Sequence, residues 1–261
     1  MITLFPSRTV ALDLLGFQVH WYGVMYLLAF LLAWHLLPRL QKFRDLELSA
    51  DEWSRILSYA IIGVIVGGRL GFVLFYEPEY FLRYPGEIVA IWRGGMSSHG
   101  GFLGVIVALM FALKERKNTL WKIADIAVVP AALGLALGRV GNIINQELYG
   151  IPTGLPFGVE IPDVEGLRHP THLYAVLKDL FITAICYLHL RNTAKLPVLS
   201  RRDGATFELF LILYAVLRFF LEYLRDQEYP LLDTGVLLLS RGQILTLLLL
   251  LFVLILRWRR A

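Results

Sequence analysis

The sequence predicts an all-α, polytopic membrane protein with seven transmembrane helices. Hydrophobic residues make up 57% of the 261 residues, whereas an ordinary soluble domain contains roughly 45 to 50%. These residues fall into long apolar runs, and short clusters of lysine and arginine separate the runs. This composition argues against a soluble enzyme, a disordered chain and a coiled coil, and the single cysteine, Cys186, argues against a disulfide scaffold.

Each predicted span is an apolar window near the roughly 20 residues that cross a bilayer core about 30 Å thick. The first window begins too far along the chain to be a removable signal peptide. It also lacks the basic N-terminal region and the small-residue cleavage site of such a peptide. The third and seventh windows are short. The windows lie at about 17–37, 56–76, 97–113, 123–145, 171–190, 205–224 and 241–256.

The connections between the spans predict the orientation, because lysine and arginine are retained on the cytoplasmic side. The two alternating sets of connections carry fifteen and five of these residues. We therefore expect the N-terminus outside and the C-terminus in the cytoplasm. The net charge of +4 does not indicate a nucleic-acid partner, because the basic residues are spread over short connections. The basic connections are 39–55, 114–122, 191–202 and 257–260.

One outer connection, at about 146–169, is long and rich in glycine and proline. This composition is typical of a loop, which we expect to lie at the membrane surface. No internal repeat or low-complexity stretch is visible in the sequence. The chain is therefore predicted to form one transmembrane domain over residues 1–261.

Five basic residues fall inside the predicted spans, where an ionisable group costs about 2.5 to 3.5 kcal/mol even on a lenient insertion scale. Arg69, Arg139 and Arg218 lie in the outer halves of their helices, and the others are Lys178 and Arg241. A single arginine often snorkels to the interface or pairs with a carboxylate. Several at similar depth in different helices indicate a polar site near the outer surface.

Helical spacing supports a site for an anion. Four residues at intervals of four, four and three share one helix face: Tyr214, Arg218, Glu222 and Arg225. Glu222 can orient Arg218 on this face. Guanidinium groups bind phosphate through two parallel hydrogen bonds, and a phospholipid headgroup is the phosphate available at that depth. Metal-ligand spacings, a Walker loop and a serine nucleophile elbow are not seen, so no metal or cofactor is expected.

Residues 138–150, with the sequence GRVGNIINQELYG, resemble the signature of the bacterial phosphatidylglycerol-prolipoprotein diacylglyceryl transferases. Further motifs agree with this family in the same order along nearly the whole chain, and an ordered set is more specific than any single motif. They are His20-Trp21-Tyr22-Gly23, Gly67-Gly68-Arg69, the run GGMSSHGG at 94–101, His169-Pro170, Leu173-Tyr174, the Tyr214 to Arg225 face and Gly242-Gln243.

The resemblance implies that the protein transfers the diacylglyceryl group of phosphatidylglycerol to the thiol of the lipobox cysteine in a prolipoprotein signal peptide. This reaction forms a thioether and releases glycerol phosphate, as the first step of lipoprotein maturation. The implied location is the bacterial cytoplasmic (inner) membrane, with the active site toward the periplasmic or outer side. The implied partners are phosphatidylglycerol, the prolipoprotein and membrane lipids.

The family's motifs also imply site residues. Arg139 and Arg218 match its essential arginines, and His99 matches its histidine, so these three are expected to be catalytic. The positions expected to bind substrate are Tyr22, Arg69, Asn142, Glu147, Gly150, Tyr214 and Glu222.

Three positions depart from the family's common pattern. Ser98 stands where an aromatic residue is frequent, and Ile143 and Gln146 replace a common phenylalanine and a common glycine. The outer segment after Gly150 is also shorter than in some relatives. These departures bear on the substrate loops more than on the chemistry.

The expected mechanism is attack of an external thiolate on the glyceryl carbon, with a phosphate ester as the leaving group. His99 is the candidate base for the thiol, although a histidine at a helix start can instead satisfy backbone groups. Arg139 and Arg218 are expected to bind the leaving phosphate more tightly in the transition state than in the lipid. The nucleophile belongs to the substrate, so Cys186 is expected to be a packing residue.

Several positions have two interpretations. Tyr22 can touch the headgroup or anchor its helix at the interface. Glu147 can bind the headgroup glycerol or cap its helix, and Arg69 can support the site structurally. Lys178 beside Asp179 predicts an internal ion pair. Asn142, Tyr214 and Glu222 are expected to orient the two essential arginines.

The main alternative function is a transporter for an anion or a proton, because embedded arginine, histidine and glutamate are also typical of transporters. The polar groups crowd one side of the membrane, and no inverted repeat is visible, so the enzyme is favoured. A noncatalytic assembly subunit would leave the convergent arginines unexplained.

Overall fold

The structure is a computed structural model in which the chain forms two compact units. Unit 1 comprises Met1–Ala33 and Ala124–Ala261, and unit 2 comprises Trp34–Ile123. The structure describes residues 2–4, 8–91, 94–114, 116, 119–197, 201–227, 231–233 and 238–260.

Within the described residues, seven helices of 15 residues or more overlap the seven predicted windows. The helices, including the short α3, are α1 (Trp21–Leu40), α2 (Ala50–Phe75), α3 (Pro78–Arg83), α4 (Ser98–Ala112), α5 (Leu120–Asn145), α6 (Thr171–Thr193), α7 (Ala205–Leu221) and α8 (Arg241–Arg260). In the described part of the chain, five helical segments have the length and composition to cross a membrane, and α4 and α7 are not among them. With 15 and 17 residues, α4 and α7 extend roughly 22 and 26 Å, less than a bilayer core of about 30 Å. The chain is an all-helical, polytopic membrane protein.

The first helix begins at Trp21, so the prediction that it starts near residue 17 is wrong. Phe17–His20 is a strand, so His20 ends this strand and does not lie in the helix. The reason is a two-residue turn at Leu15 and Gly16, whose φ values are 55° and 92°. Strands β1 (Ile2–Leu4), β2 (Val10–Leu14) and β3 (Phe17–His20) form an antiparallel sheet in that order.

The outer connection at 146–169 contains a strand pair, which its prediction as a loop missed. Strands β4 (Val159–Ile161) and β5 (Val164–Arg168) pair antiparallel, and Asp163 between them has a φ of 62°. Earlier in this connection, Gly150 pairs with Arg225 in an isolated bridge. These backbone hydrogen bonds give the segment a defined conformation.

In unit 2, helices α2 and α4 pack with their backbones in contact. A Cβ atom added at Gly63 would lie 2.6 Å from the carbonyl oxygen of Gly104. A Cβ at Gly71 would lie 2.7 Å from the Cα of Gly100. Small residues at these positions permit the close approach that stabilises helix pairs in a membrane.

In unit 1, a buried aspartate of α5 caps the N-terminus of α7. The Asp125 carboxylate accepts hydrogen bonds from the Gly204 N–H at 2.8 Å and from the Phe207 N–H at 2.9 Å. Gly204 is the N-cap residue and has no side chain to supply this acceptor. The two helices therefore begin at the same end of the unit.

The start of α8 is attached to the end of α7. Ser240 and Gln243 form a reciprocal capping box, with hydrogen bonds of 2.9 and 3.1 Å between each side chain and the other residue's N–H. The Gln243 amide also donates to the carbonyl of Phe219 in α7 at 3.4 Å. Strands β6 (Leu232–Asp233) and β7 (Leu238–Leu239) pair antiparallel before α8.

Large apolar side chains are exposed on several helices. Leu31 of α1 is 56% exposed, Phe102 of α4 is 60% exposed and Leu251 of α8 is 54% exposed. Extended apolar faces of this kind are unusual on a soluble protein. They agree with helices whose outer faces contact lipid.

The turn after helix α5 holds residues other than glycine in a backbone conformation that is strained for any residue with a Cβ atom. Gln146 and Leu148 have φ values of 54° and 56°, in the left-handed region. The Gln146 Oε1 atom is also buried without a hydrogen-bond partner among the residues the structure describes. The resemblance implies that glycine is common at this position.

We expect Gln146→Gly to raise the thermal stability of the protein. Relief of the left-handed conformation is worth about 1 to 2 kcal/mol, which exceeds the roughly 0.4 to 1 kcal/mol that glycine adds to the entropy of the unfolded chain. The measurement is the unfolding midpoint in detergent at one scan rate. Gln146→Ala is the matched control, because it removes the same buried oxygen but keeps a Cβ atom. Equal midpoints for the two variants would contradict the strain.

Candidate active site

One cavity in unit 1 lies where the ends of three helices meet. It is formed by the last turns of α5 and α7 and by the first turns of α6, and its volume is about 20 Å³. Three arginines and one histidine supply its titratable groups. The cavity is lined by Arg139, Leu148, Thr171, His172, Ala175, Arg218, Leu221 and Arg225.

A buried ion pair holds Arg218. Its Nη2 atom lies 2.6 Å from Oε2 of Glu222, and Nη1 of Arg225 lies 4.0 Å from the other carboxylate oxygen. The Glu222 side chain is only 3% exposed. The two guanidinium groups share one carboxylate, and a guanidinium carries five N–H donors, so donors remain for a ligand.

The backbone of α8 limits where Glu222 can lie. A Cβ atom at Gly242 would be 2.7 Å from Oε1 of Glu222 and 2.9 Å from its Cδ. Any side chain at Gly242 would therefore push the carboxylate from its position beside Arg218. Space, rather than backbone conformation, requires glycine here.

A hydrogen-bond network that ends at the Glu147 carboxylate holds Arg139. Its Nη1 atom donates to Oδ1 of Asn142 at 3.2 Å. The Asn142 amide donates to Oε1 of Glu147 at 3.0 Å and to the Tyr22 hydroxyl. That hydroxyl donates in turn to Oε1 of Glu147. Tyr22 of α1 and Glu147 thus fix the amide that contacts Arg139.

The cavity carries an excess of positive charge. Within the described residues, Arg139 forms no salt bridge, and Glu222 is the carboxylate that pairs with Arg218 and Arg225. Three guanidinium groups around one carboxylate favour an anionic ligand, and their planar geometry suits phosphate. No group of three histidine, cysteine, aspartate or glutamate side chains that could hold a metal ion occurs in the described part of the chain.

Tyr214 contacts α6 on the same side of α7 as Arg218. The Lys178 ammonium lies 4.4 Å from the centroid of the Tyr214 ring and forms an ion pair with Asp179, which confirms the predicted internal pair. The Tyr214 ring also stacks on Phe210, with centroids 6.0 Å apart. Its predicted role in orienting an arginine stays a prediction.

Gly150 joins the outer connection to the rim of the cavity. Its N–H donates to the carbonyl of His169 at 2.8 Å. A Cβ atom at Gly150 would lie 2.6 Å from the Cβ of His169 and 2.8 Å from Cγ2 of Thr171. Only glycine fits between the side chains of His169 and Thr171. Direct contact of Gly150 with substrate stays a prediction.

Two predicted site residues, Arg69 and His99, belong to unit 2. The Arg69 guanidinium donates four hydrogen bonds to main-chain carbonyls between residues 87 and 95. It also lies 5.0 Å from the centroid of the Phe81 ring. These contacts agree with structural support, one of its two predicted roles. His99 is the second residue of α4, and its side chain lies outside what the structure describes.

Three polar residues of the cavity are not among the residues predicted to be catalytic or to bind substrate. Arg225 carries a signal in its spacing from Arg218 and Glu222. Thr171 and His172 directly follow Pro170. A proline often precedes or opens a helix, so Pro170 is the signal that places these two residues in the first turn of α6.

Comparison with known proteins identifies the family. A family model described as prolipoprotein diacylglyceryl transferase matches residues 9–259. A phosphatidylglycerol-prolipoprotein diacylglyceryl transferase of Acinetobacter baumannii is 39% identical, and the match covers 99% of this chain and 94% of that protein. Proteins of the same name from Glaesserella parasuis and Aromatoleum aromaticum are 39% and 41% identical, covering 93% and 87% of this chain and 89% and 85% of theirs. The chain therefore belongs to the prolipoprotein diacylglyceryl transferase family, as its motifs imply.

Proposed function

We propose that this protein transfers the diacylglyceryl group of phosphatidylglycerol to the thiol of a prolipoprotein cysteine. The observation that carries the proposal is the single cavity lined by both Arg139 and Arg218, in a chain that matches the family over nearly its whole length. The names of the relatives supply the two substrates. The cavity supplies a place for the phosphate.

The surroundings of the cavity suit a lipid. An apolar groove adjoins it, and Leu221 lines both. The groove has a volume of about 310 Å³. A charged cavity beside an apolar groove matches a ligand with a phosphate headgroup and acyl chains. The groove is lined by Tyr174, Lys178, Leu217, Phe220, Leu221 and Leu224.

The reaction is a displacement at carbon. The thiolate sulfur attacks the glyceryl carbon, a C–S bond forms, and the C–O bond to the phosphate breaks with its electron pair on the phosphate oxygen. Glycerol phosphate leaves, and the cysteine carries a thioether. Arg139 and Arg218 stabilise the charge that gathers on the departing phosphate, and stabilisation of developing charge is commonly the largest contribution to catalysis.

The thiol comes from the lipobox cysteine of the signal peptide, and His99 receives its proton. A base is useful because a free thiol, with a pKa near 8.5, is only slightly ionised at neutral pH. Tyr22, Asn142 and Glu147 position Arg139 through their hydrogen bonds, and Glu222 positions Arg218.

The proposal places the protein in the bacterial inner membrane, with seven spans, an outer N-terminus, a cytoplasmic C-terminus and the cavity toward the outer side. The Asp125 cap supports this topology, because α5 and α7 begin at one end of unit 1, as alternating spans require. The connections that precede both helices are basic, which is typical of the cytoplasmic side. The family match covers both units, which supports one catalytic domain over residues 1–261.

The transporter alternative receives no support from the family match, because the family and the relatives are named as transferases. Uptake of an anion into sealed vesicles, measured beside the transfer assay, separates the two functions. Transfer without uptake is the expected result.

Arg139→Ala and Arg218→Ala should each lower the rate of transfer at least about 100-fold, the effect typical of losing a group that stabilises developing charge. The measurement is transfer of a labelled diacylglyceryl group from phosphatidylglycerol to a prolipoprotein peptide by purified protein. Lysine at either position should restore only part of the rate, because an ammonium lacks the planar fork.

The matched control for the arginine variants is Arg191→Ala, an exposed position in the last turn of α6. It should keep the wild-type rate. A wild-type rate in either cavity variant would eliminate the phosphate clamp.

Cys186→Ala should keep the wild-type turnover number. Cys186 is fully buried in the interior of α6, so it serves packing, while the nucleophile comes from the peptide. The same transfer assay measures this variant. Loss of turnover in a variant with a normal unfolding midpoint would contradict the assignment of an external nucleophile.

His99→Gln should lower the rate and remove the rise of the pH–rate profile near neutral pH that a histidine base produces. The remaining rate should climb at higher pH, where the substrate thiol ionises without help. A full rate with an unchanged profile would rule out His99 as the base.

A further inference from the structure

His172 is a buried histidine of the arginine cavity that the proposed mechanism does not use. It is 6% exposed, and its Nδ1 atom has no hydrogen-bond partner among the residues that the structure describes. Buried polar atoms in proteins are nearly always hydrogen-bonded, so an unpartnered ring nitrogen on a residue that lines a cavity indicates a ligand.

The neighbouring residues leave this role to His172. Pro170 is the N-cap of α6 and provides no side-chain hydrogen bond. Thr171 donates its hydroxyl to the carbonyl of Leu148 at 2.8 Å and its N–H to the carbonyl of His169 at 2.8 Å. The donors of Thr171 are therefore used by the main chain, whereas the His172 Nδ1 atom is available.

The cavity offers two kinds of hydrogen-bonding group to a ligand: charged guanidinium groups and an imidazole. Its three guanidinium groups only donate hydrogen bonds and carry full charge, so they match the anionic oxygens of a phosphoryl group. A neutral imidazole has one donor nitrogen and one acceptor nitrogen. A hydroxyl group also both donates and accepts. His172 thus complements an uncharged hydroxyl placed next to the phosphate.

We propose that His172 binds a hydroxyl of the headgroup glycerol and makes the enzyme select a glycerol-bearing phospholipid over one of equal charge that lacks hydroxyls. This inference rests on the proposed function. It concerns the glycerol hydroxyls, the part of the headgroup that the arginines do not bind. His172 takes no proton and forms no bond in the reaction, so it determines specificity.

The experiment compares phosphatidylglycerol with phosphatidylpropanol, a donor of equal charge and similar size without headgroup hydroxyls. Wild type should prefer phosphatidylglycerol in kcat/KM by about tenfold or more, since a site built to bind a hydroxyl rejects the analogue that lacks it. His172→Leu should raise KM for phosphatidylglycerol, keep kcat close to wild type and abolish the preference, with phosphatidylpropanol kinetics unchanged.

Two polar variants distinguish recognition from packing. Asparagine places a polar atom near the Nδ1 position, so His172→Asn should restore part of the preference. Glutamine places its amide near the other ring nitrogen, so His172→Gln should behave like the leucine variant, and it carries the test if leucine disturbs folding. His35→Leu, at an exposed position of α1, is the matched control and should keep the full preference.

An unchanged preference in both the leucine and glutamine variants would overturn the inference, and so would equal losses with both lipids. A wild-type enzyme that uses both lipids equally well would overturn the proposed recognition of the hydroxyl and leave the proposed function standing. A wild-type protein that transfers from neither lipid would instead overturn the proposed function.

Discussion

Enclosure of three guanidinium groups with one carboxylate is the constraint on which the arrangement of unit 1 depends. Ionised groups removed from water are costly unless hydrogen bonds or opposite charges surround them. The ends of α5 and α7, the start of α6 and the turn into α8 supply these contacts. The excess charge that they leave is what a phosphate can neutralise, so the feature that is costly for folding is also the one that we propose binds substrate.

The two central arginines are held by chemically different partners. Arg218 faces a carboxylate, and the backbone at Gly242 limits the movement of that carboxylate. Arg139 contacts the amide of Asn142, so its charge is not offset by an ion pair in the described part of the chain. Arg218 is thus held by an ion pair, whereas Arg139 is held by a hydrogen bond to an amide. Donors that are already in place need no rearrangement as charge develops on a leaving group.

Local signals in the sequence predict the helices and the arginine face, because apolar windows and spacings of three and four residues report on single helices. The spacing places Arg218 and Glu222 on one face, and their side chains meet at 2.6 Å. Contacts between distant residues have no such signal: Tyr22 and Glu147 are 125 positions apart. Strand β3 is hidden in an apolar run, since only the turn at its start distinguishes it from a helix. The unpartnered nitrogen of His172 appears only once three helices are assembled.

The Asp125 cap gives α5 and α7 a common starting level. Arg139 follows Asp125 by fourteen residues, and Arg218 follows Gly204 by fourteen. At 1.5 Å per residue, both arginines lie roughly 21 Å along their helices from that level. Equal helical paths thus bring two guanidinium groups to the same height without a bond between them. Inserting one residue into either path would displace its arginine by about 1.5 Å and rotate it by about 100° about the helix axis. The lengths of these two segments are therefore constrained more tightly than the identities of their lipid-facing side chains.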